Sequence, residues 1–149
     1  MARFAMLLLV LTSGYVLAAP VPKPKVKDEE AMRGKWKVVD LQHDGKPAGQ
    51  DYKDGVATID KDKFSVQAGG EGKARDEVMG YKLDAGKKEI DLTPPQGNPD
   101  AAVKGLCELD GDTLTIAIGM GNPGVRPTEV KPGQGVAYLK LQRIKEEKK

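Results

Sequence analysis

Along most of the chain, apolar and polar residues alternate with a period of two. Phe64 and Val66 alternate with Lys63, Ser65 and Gln67, and Ile90 and Leu92 with Glu89, Asp91 and Thr93. Leu114, Ile116 and Ile118 alternate with Thr113, Thr115 and Ala117. Successive side chains of a strand point to opposite faces, so the pattern predicts strands with one dry face and one wet face. That is the mark of antiparallel sheet. Looser runs at 36–41, 56–59, 78–83, 103–109 and 136–143 bring the expected count to eight. Turn residues separate them: Asp44-Gly45, Asp54-Gly55, Gly69-Gly70, Ala85-Gly86 and Asp110-Gly111. Gly takes the positive φ that hairpin turns need. Two connections are longer, 94–100 and the Gly- and Pro-rich 119–135. Residues 28–33 are expected to form one helical turn, and no long helical period follows. Eight short strands without helices to cover a sheet predict an all-β domain closed as an up-and-down antiparallel barrel. A two-sheet sandwich is the alternative.

The first residues do not belong to that pattern. Arg3 supplies a positive charge, an apolar run extends from Phe4 to Leu11, and Val16-Leu17-Ala18 forms a small-residue cleavage motif. This is the layout of a secretory signal peptide over 1–18. Its apolar run is far short of the ~20 residues that a membrane span needs. No Cys lies near the cleavage point, so a bacterial lipid anchor is not expected. The protein is therefore expected to be exported, to the periplasm or the extracellular medium. Residues 19–31 begin with prolines alternating with mostly basic residues and are expected to form an extended tether. The domain is expected over 32–144, with a charged tail at 145–149.

Charge narrows the partners. Of 24 Lys and Arg, loss of Arg3 leaves 23 against 22 Asp and Glu. The signs are mixed along the chain, which argues against a nucleic-acid partner, since that calls for a basic face. Cys107 is the single cysteine, so no internal disulfide forms and stability must come from burial. Beyond residue 18 the aromatic residues are only Trp36, Tyr52, Phe64, Tyr81 and Tyr138.

Gly34-x-Trp36 at the first strand, with Arg143 ending the last, resembles the lipocalin signature. The resemblance implies barrel closure by Gly34, Trp36 and Arg143, with the Trp packed across the barrel end against the basic side chain. The chain is also similar to a family of secreted lipocalin-like domains, of uncharacterised function, abundant in planctomycete bacteria. Gly34-Lys35-Trp36-Lys37-Val38-Val39, Asp44-Gly45-Lys46-Pro47, Lys61-Asp62-Lys63-Phe64 and Tyr81-Lys82-Leu83-Asp84 carry that resemblance. So do Ile90-Asp91-Leu92-Thr93, the run Glu108 to Leu114, and Arg126-Pro127-Thr128-Glu129. It extends from about Met32 to Arg143. Val130 stands where the family tends to carry an aromatic residue, and Cys107 where it commonly has Tyr.

Catalytic inventories are thin. Beyond residue 18 there is one serine, Ser65, in mid-strand, and one histidine, His43, on another strand. A Ser-His-acid triad needs its members within hydrogen-bond reach. Cys107 shares a strand face with Val103, Gly105 and Leu109, which predicts a buried structural thiol. No catalytic residue is assigned, and the protein is not expected to be an enzyme. Zinc needs three or four N or S ligands, and the chain owns two such residues beyond the leader. Asp60-x-Asp62 and Asp110-x-Asp112 lack the rest of a calcium loop and are expected to serve their turns. Gly119-Met120-Gly121-Asn122-Pro123-Gly124 matches a dinucleotide fingerprint in letters, but Pro123, Gly124 and Pro127 deny the helix that would hold a pyrophosphate. No metal and no cofactor are expected. Arg126, in the long loop, is the candidate for gripping a ligand carboxylate. Its competing role is to pin that loop to the barrel rim through backbone carbonyls or Asp side chains. An eight-stranded barrel can just hold one small ligand. The expected function is thus a non-catalytic exported domain taking a small apolar molecule. The alternative is a structural or protein-interaction module with a filled core.

Overall fold

A computed structural model describes residues 25–48, 52, 54–67, 77–95, 101–121 and 124–145. Helix α1 (Lys25–Met32) leads into β1 (Gly34–His43), β2 (Lys46–Pro47), β3 (Val56–Ile59), β4 (Lys63–Gln67) and β5 (Glu77–Asp84). Then follow β6 (Glu89–Thr93), β7 (Val103–Asp110), β8 (Thr113–Gly119) and β9 (Val136–Arg143). Strands β1 and β3 to β9 pair antiparallel in chain order, and β9 returns to pair with β1. The sheet is therefore a closed eight-stranded antiparallel barrel, with β2 as a short flap on the end of β1. Closure removes the sandwich alternative.

The alternation seen in the sequence sorts the two faces. Ile90 and Leu92 of β6 and Leu114 and Ile116 of β8 are buried inward, while Glu89, Asp91, Thr113 and Thr115 are only partly covered. Strand β1 needs one correction to the simple period. Trp36 and Val38 face inward, and continued alternation would next turn Asp40 and Gln42 into the core. Instead the register shifts between Val38 and Asp40, leaving Val39 outside the ladder and 56% exposed. One extra residue flips every later side chain. Leu41 thereby lies opposite the buried Leu139, and Asp40 lies opposite the exposed Lys140.

Two short elements differ from expectation. Strand β2 is a two-residue pairing with β1, formed because Asp44 and Gly45 both take positive φ, 53° and 71°. Two such residues make the tight turn whose twist matches its flanking strands. Helix α1 begins at Lys25, inside the segment assigned to an extended tether, and so is longer than one turn. The helix starts immediately after Pro24, beyond the last proline of that segment, where the obstacle to helix ends. The leader 1–18, most of the tether, the Gly69-Gly70 turn, residues 96–100 and the end of the tail lie outside the described residues. Among the described residues, no helix is long and apolar enough to cross a membrane.

Candidate functional site

One end of the barrel is built around Trp36. Gly34 precedes it at φ 124°, a backbone conformation that side-chain-bearing residues rarely adopt, and an added Cβ would sit 3.5 Å from an Arg143 guanidinium nitrogen. Glycine therefore lets β1 start directly beneath that arginine. Trp36 pairs in register with Arg143, whose guanidinium carbon lies 4.1 Å from the centre of the indole ring. The indole is fully buried, and its Nε1 donates to the Met32 carbonyl at 2.9 Å. Arg143 also donates to the carbonyls of Ala31 and Arg33, the latter at 3.1 Å. A cation on the last carbonyls of a helix satisfies orphan acceptors and opposes the helix dipole. So the closing arginine also caps α1 and fixes it across the barrel end.

Strand lengths then open a notch at the same end. The last pair between β6 and β7 is Glu89 with Leu106, yet β7 continues to Asp110. Beyond that point the β5–β6 turn stands where more β6 would be needed. Met32, Leu83, Ala85, Lys88, Cys107, Glu108 and Leu109 line a recess of about 310 Å³ there. Its walls are mainly apolar. Lys88 carries a positive φ of 57°, uncommon for a residue with a side chain, and its carbonyl accepts from the Cys107 amide at 2.8 Å. Its ammonium meets the Glu108 carboxylate at 2.7 Å, a contact that raises the Lys88 pKa. The two rim charges compensate each other.

Tyr81 braces the neighbouring wall by donating its hydroxyl to the Asp60 carbonyl at 2.8 Å. Burial pushes that hydroxyl's pKa above the ordinary value, the Glu29 carboxylate of α1 adds to the rise, and Arg33 opposes it.

Arg126 is elsewhere. Its guanidinium donates to the Gly105 carbonyl at 2.5 Å and to Asp91 at 2.7 Å, with Glu89 at 3.6 Å. Glu89 and Asp91 are on the outward face of β6, so the carboxylate that Arg126 grips is the protein's own. Its loop lies against the outer wall, where a Cβ on Gly119 would fall 1.7 Å from the Val125 carbonyl oxygen. Only glycine admits that approach.

Ser65 lies on β4, its hydroxyl 3.5 Å from the Thr58 carbonyl, and His43 is exposed at the end of β1. Strands β1 and β4 are not neighbours in the barrel. Cys107 is buried at 5% exposure, on the inner face with Gly105. The Asp60 carboxylate accepts from the Lys61 amide, while Asp112 faces Arg143 and Lys145. Among the described residues no group of three or more His, Cys, Asp or Glu could hold a metal ion. Gly121 and Gly124 form an isolated antiparallel bridge, and Asn122 and Pro123 between them lie outside the described residues.

Met32, Leu83, Lys88, Glu108 and Leu109 carry no motif that marks them as a site in the sequence. Leu83 and Leu109 look like any inward strand residues. The available signal was the mismatch between a five-residue β6 and an eight-residue β7. No protein-family model matches the chain, and no curated protein or solved structure matches it either.

Proposed function

We propose that this protein is an exported, non-catalytic, lipocalin-like binding module for a small and mainly apolar molecule. The observation that carries the reading is the recess of about 310 Å³ at one end of the closed barrel, lined in part by Met32, Leu83, Cys107 and Leu109. Small-molecule sites are concave, largely apolar and supplied with a few polar groups, and the recess lies at the low end of their range of ~300–1,000 Å³. The charged start, apolar run and small-residue motif of residues 1–18 support export. Native mass spectrometry of protein recovered from the exported fraction tests both parts. A mass above that of the bare chain, or uptake from a panel of apolar compounds, is the expected result. A bare mass with no uptake would sink the binding function, and retention of the uncleaved chain in the cytoplasm would sink export.

A second reading has its own observation. Trp36, Ile90, Leu92, Leu114, Ile116 and Leu141 are each under 2% exposed, which makes the middle of the barrel a packed core. That packing favours a structural or protein-interaction module. Recovery of a stoichiometric protein partner from envelope extract, with no small molecule retained, would decide for it.

A further inference from the structure

We infer that the ligand site is the notch at the α1 end of the barrel, that Met32 is its lid, and that its occupant is uncharged. This rests on the binding function proposed above and adds the place, the route and the charge class. The middle of the barrel is closed to a molecule arriving from the far rim. Ile90, Leu92, Leu114, Ile116, Leu139 and Leu141 fill it at 6% exposure or less. Open volume lies instead where β7 outruns β6, beneath the last residue of α1. At ~30 Å³ per water, that volume matches roughly ten waters. A compact ring system fits, and a long acyl chain does not.

The rim selects by charge. Lys88 and Glu108 are the charged side chains lining the recess, and they are joined to each other at 2.7 Å. An anionic ligand meets Glu108 and a cationic one meets Lys88. The pair is more than half exposed and parting it costs little, but a charged group carried past it into the apolar part of the recess is desolvated and unpaired, which is unfavourable. A neutral molecule leaves the pair intact.

The lid is held at its C-terminal end. From Glu29 to Met32, only Met32 is buried. Among the described residues, this end of α1 is also attached by the carbonyl contacts from Trp36 and Arg143, and by the interactions of Arg33 and Glu29 with Tyr81. The docked helix also leaves the Arg33 Nε buried without a hydrogen-bond partner, a penalty relieved when the helix lifts. Withdrawal of Met32 opens the recess without parting any strand pair.

Cys107, the single cysteine, lines the recess and reports on it directly. The probes are 2-naphthol, 2-naphthoate and 2-naphthylmethylammonium, which share one ring and differ in charge. The readouts are native mass spectrometry and the rate at which N-ethylmaleimide modifies Cys107 in the full chain. Saturating 2-naphthol is expected to slow modification about tenfold, and the two ions at equal concentration less than about twofold. Met32→Ala is expected to speed modification without ligand several-fold. Ala85→Trp, which fills the recess, is expected to abolish 2-naphthol binding, with a thermal melt to confirm folding. Retention of 2-naphthol without protection of Cys107 would overturn the site while leaving the binding function standing. Equal protection by the ions would overturn the charge class. Unchanged modification of Met32→Ala would overturn the lid. Failure of every probe and of a wider apolar panel to bind would remove the binding function itself. The protection arm uses the unaltered protein, so misfolding of a variant cannot mask the outcome.

Discussion

Arg143 joins three parts of the chain through one planar group. Its face lies on Trp36 of β1, its nitrogens reach the carbonyls of Ala31 and Arg33 at the end of α1, and its Nε is 3.7 Å from Asp112 in the β7–β8 turn. A cation on an aromatic face contributes ~0.5–2 kcal/mol depending on desolvation, and hydrogen bonds to a charged group ~1.5–3 kcal/mol. These overlap in one side chain that is partly exposed. Arg143→Ala is therefore expected to lower stability by about 2–3 kcal/mol in urea unfolding. Arg143→Lys keeps the charge but loses the flat fork, and is expected to restore less than about half. Full restoration by lysine would show that charge alone holds the barrel end. This pairing was legible in the sequence through the resemblance of Gly34-x-Trp36 and Arg143 to the lipocalin signature. The attachment to α1 was not. Those acceptors are backbone carbonyls, which every residue carries and no sequence distinguishes.

At the scale of elements, alternation located the eight barrel strands because each turns one face toward the core. It could not locate β2, whose Lys46 and Pro47 are both exposed and bury nothing. The bulge was hidden for a related reason. Val38 and Val39 look equally fit for a core, and only pairing with β9 decides which one leaves the ladder. The loop after β8 shows the same divide. Its Gly and Pro content told that it is no helix, but the loop lies over the outer wall because Asp91 and Glu89 project there to meet Arg126. Arg126→Ala removes a partly buried charge pair and a bond to Gly105, and is expected to lower global stability by only about 1–2 kcal/mol. The loop itself should respond more strongly, since local opening carries its own free energy. Cleavage after Glu129 by a glutamate-specific protease is expected to accelerate about tenfold under native conditions. Protection of Cys107 by an apolar probe should not change. Loss of that protection would return Arg126 to the ligand site.

Across the whole molecule, the barrel pairs from β3 to β9 are neighbours in chain order, with longer connections into β5, β7 and β9, whereas β1 with β9 joins the two ends of the domain. Bringing distant segments together carries a loop-closure entropy that local hairpins avoid, so this seam is expected to form last. Leu141 tests the order of events. It is fully buried on β9, opposite Val38 on one side and Leu114 on the other. Truncation of a buried leucine leaves a cavity, so Leu141→Ala is expected to lose about 2–5 kcal/mol. Contacts made after the transition state affect mainly the unfolding rate. Stopped-flow kinetics should therefore show the loss chiefly as faster unfolding, with refolding slowed less than about threefold. Leu109→Ala supplies the contrast, because Leu109 pairs with Leu114 across a two-residue turn and can form early. Its smaller loss should fall more heavily on refolding. The reverse division between the two variants would mean that the ends of the chain meet first and the hairpins fill in afterwards.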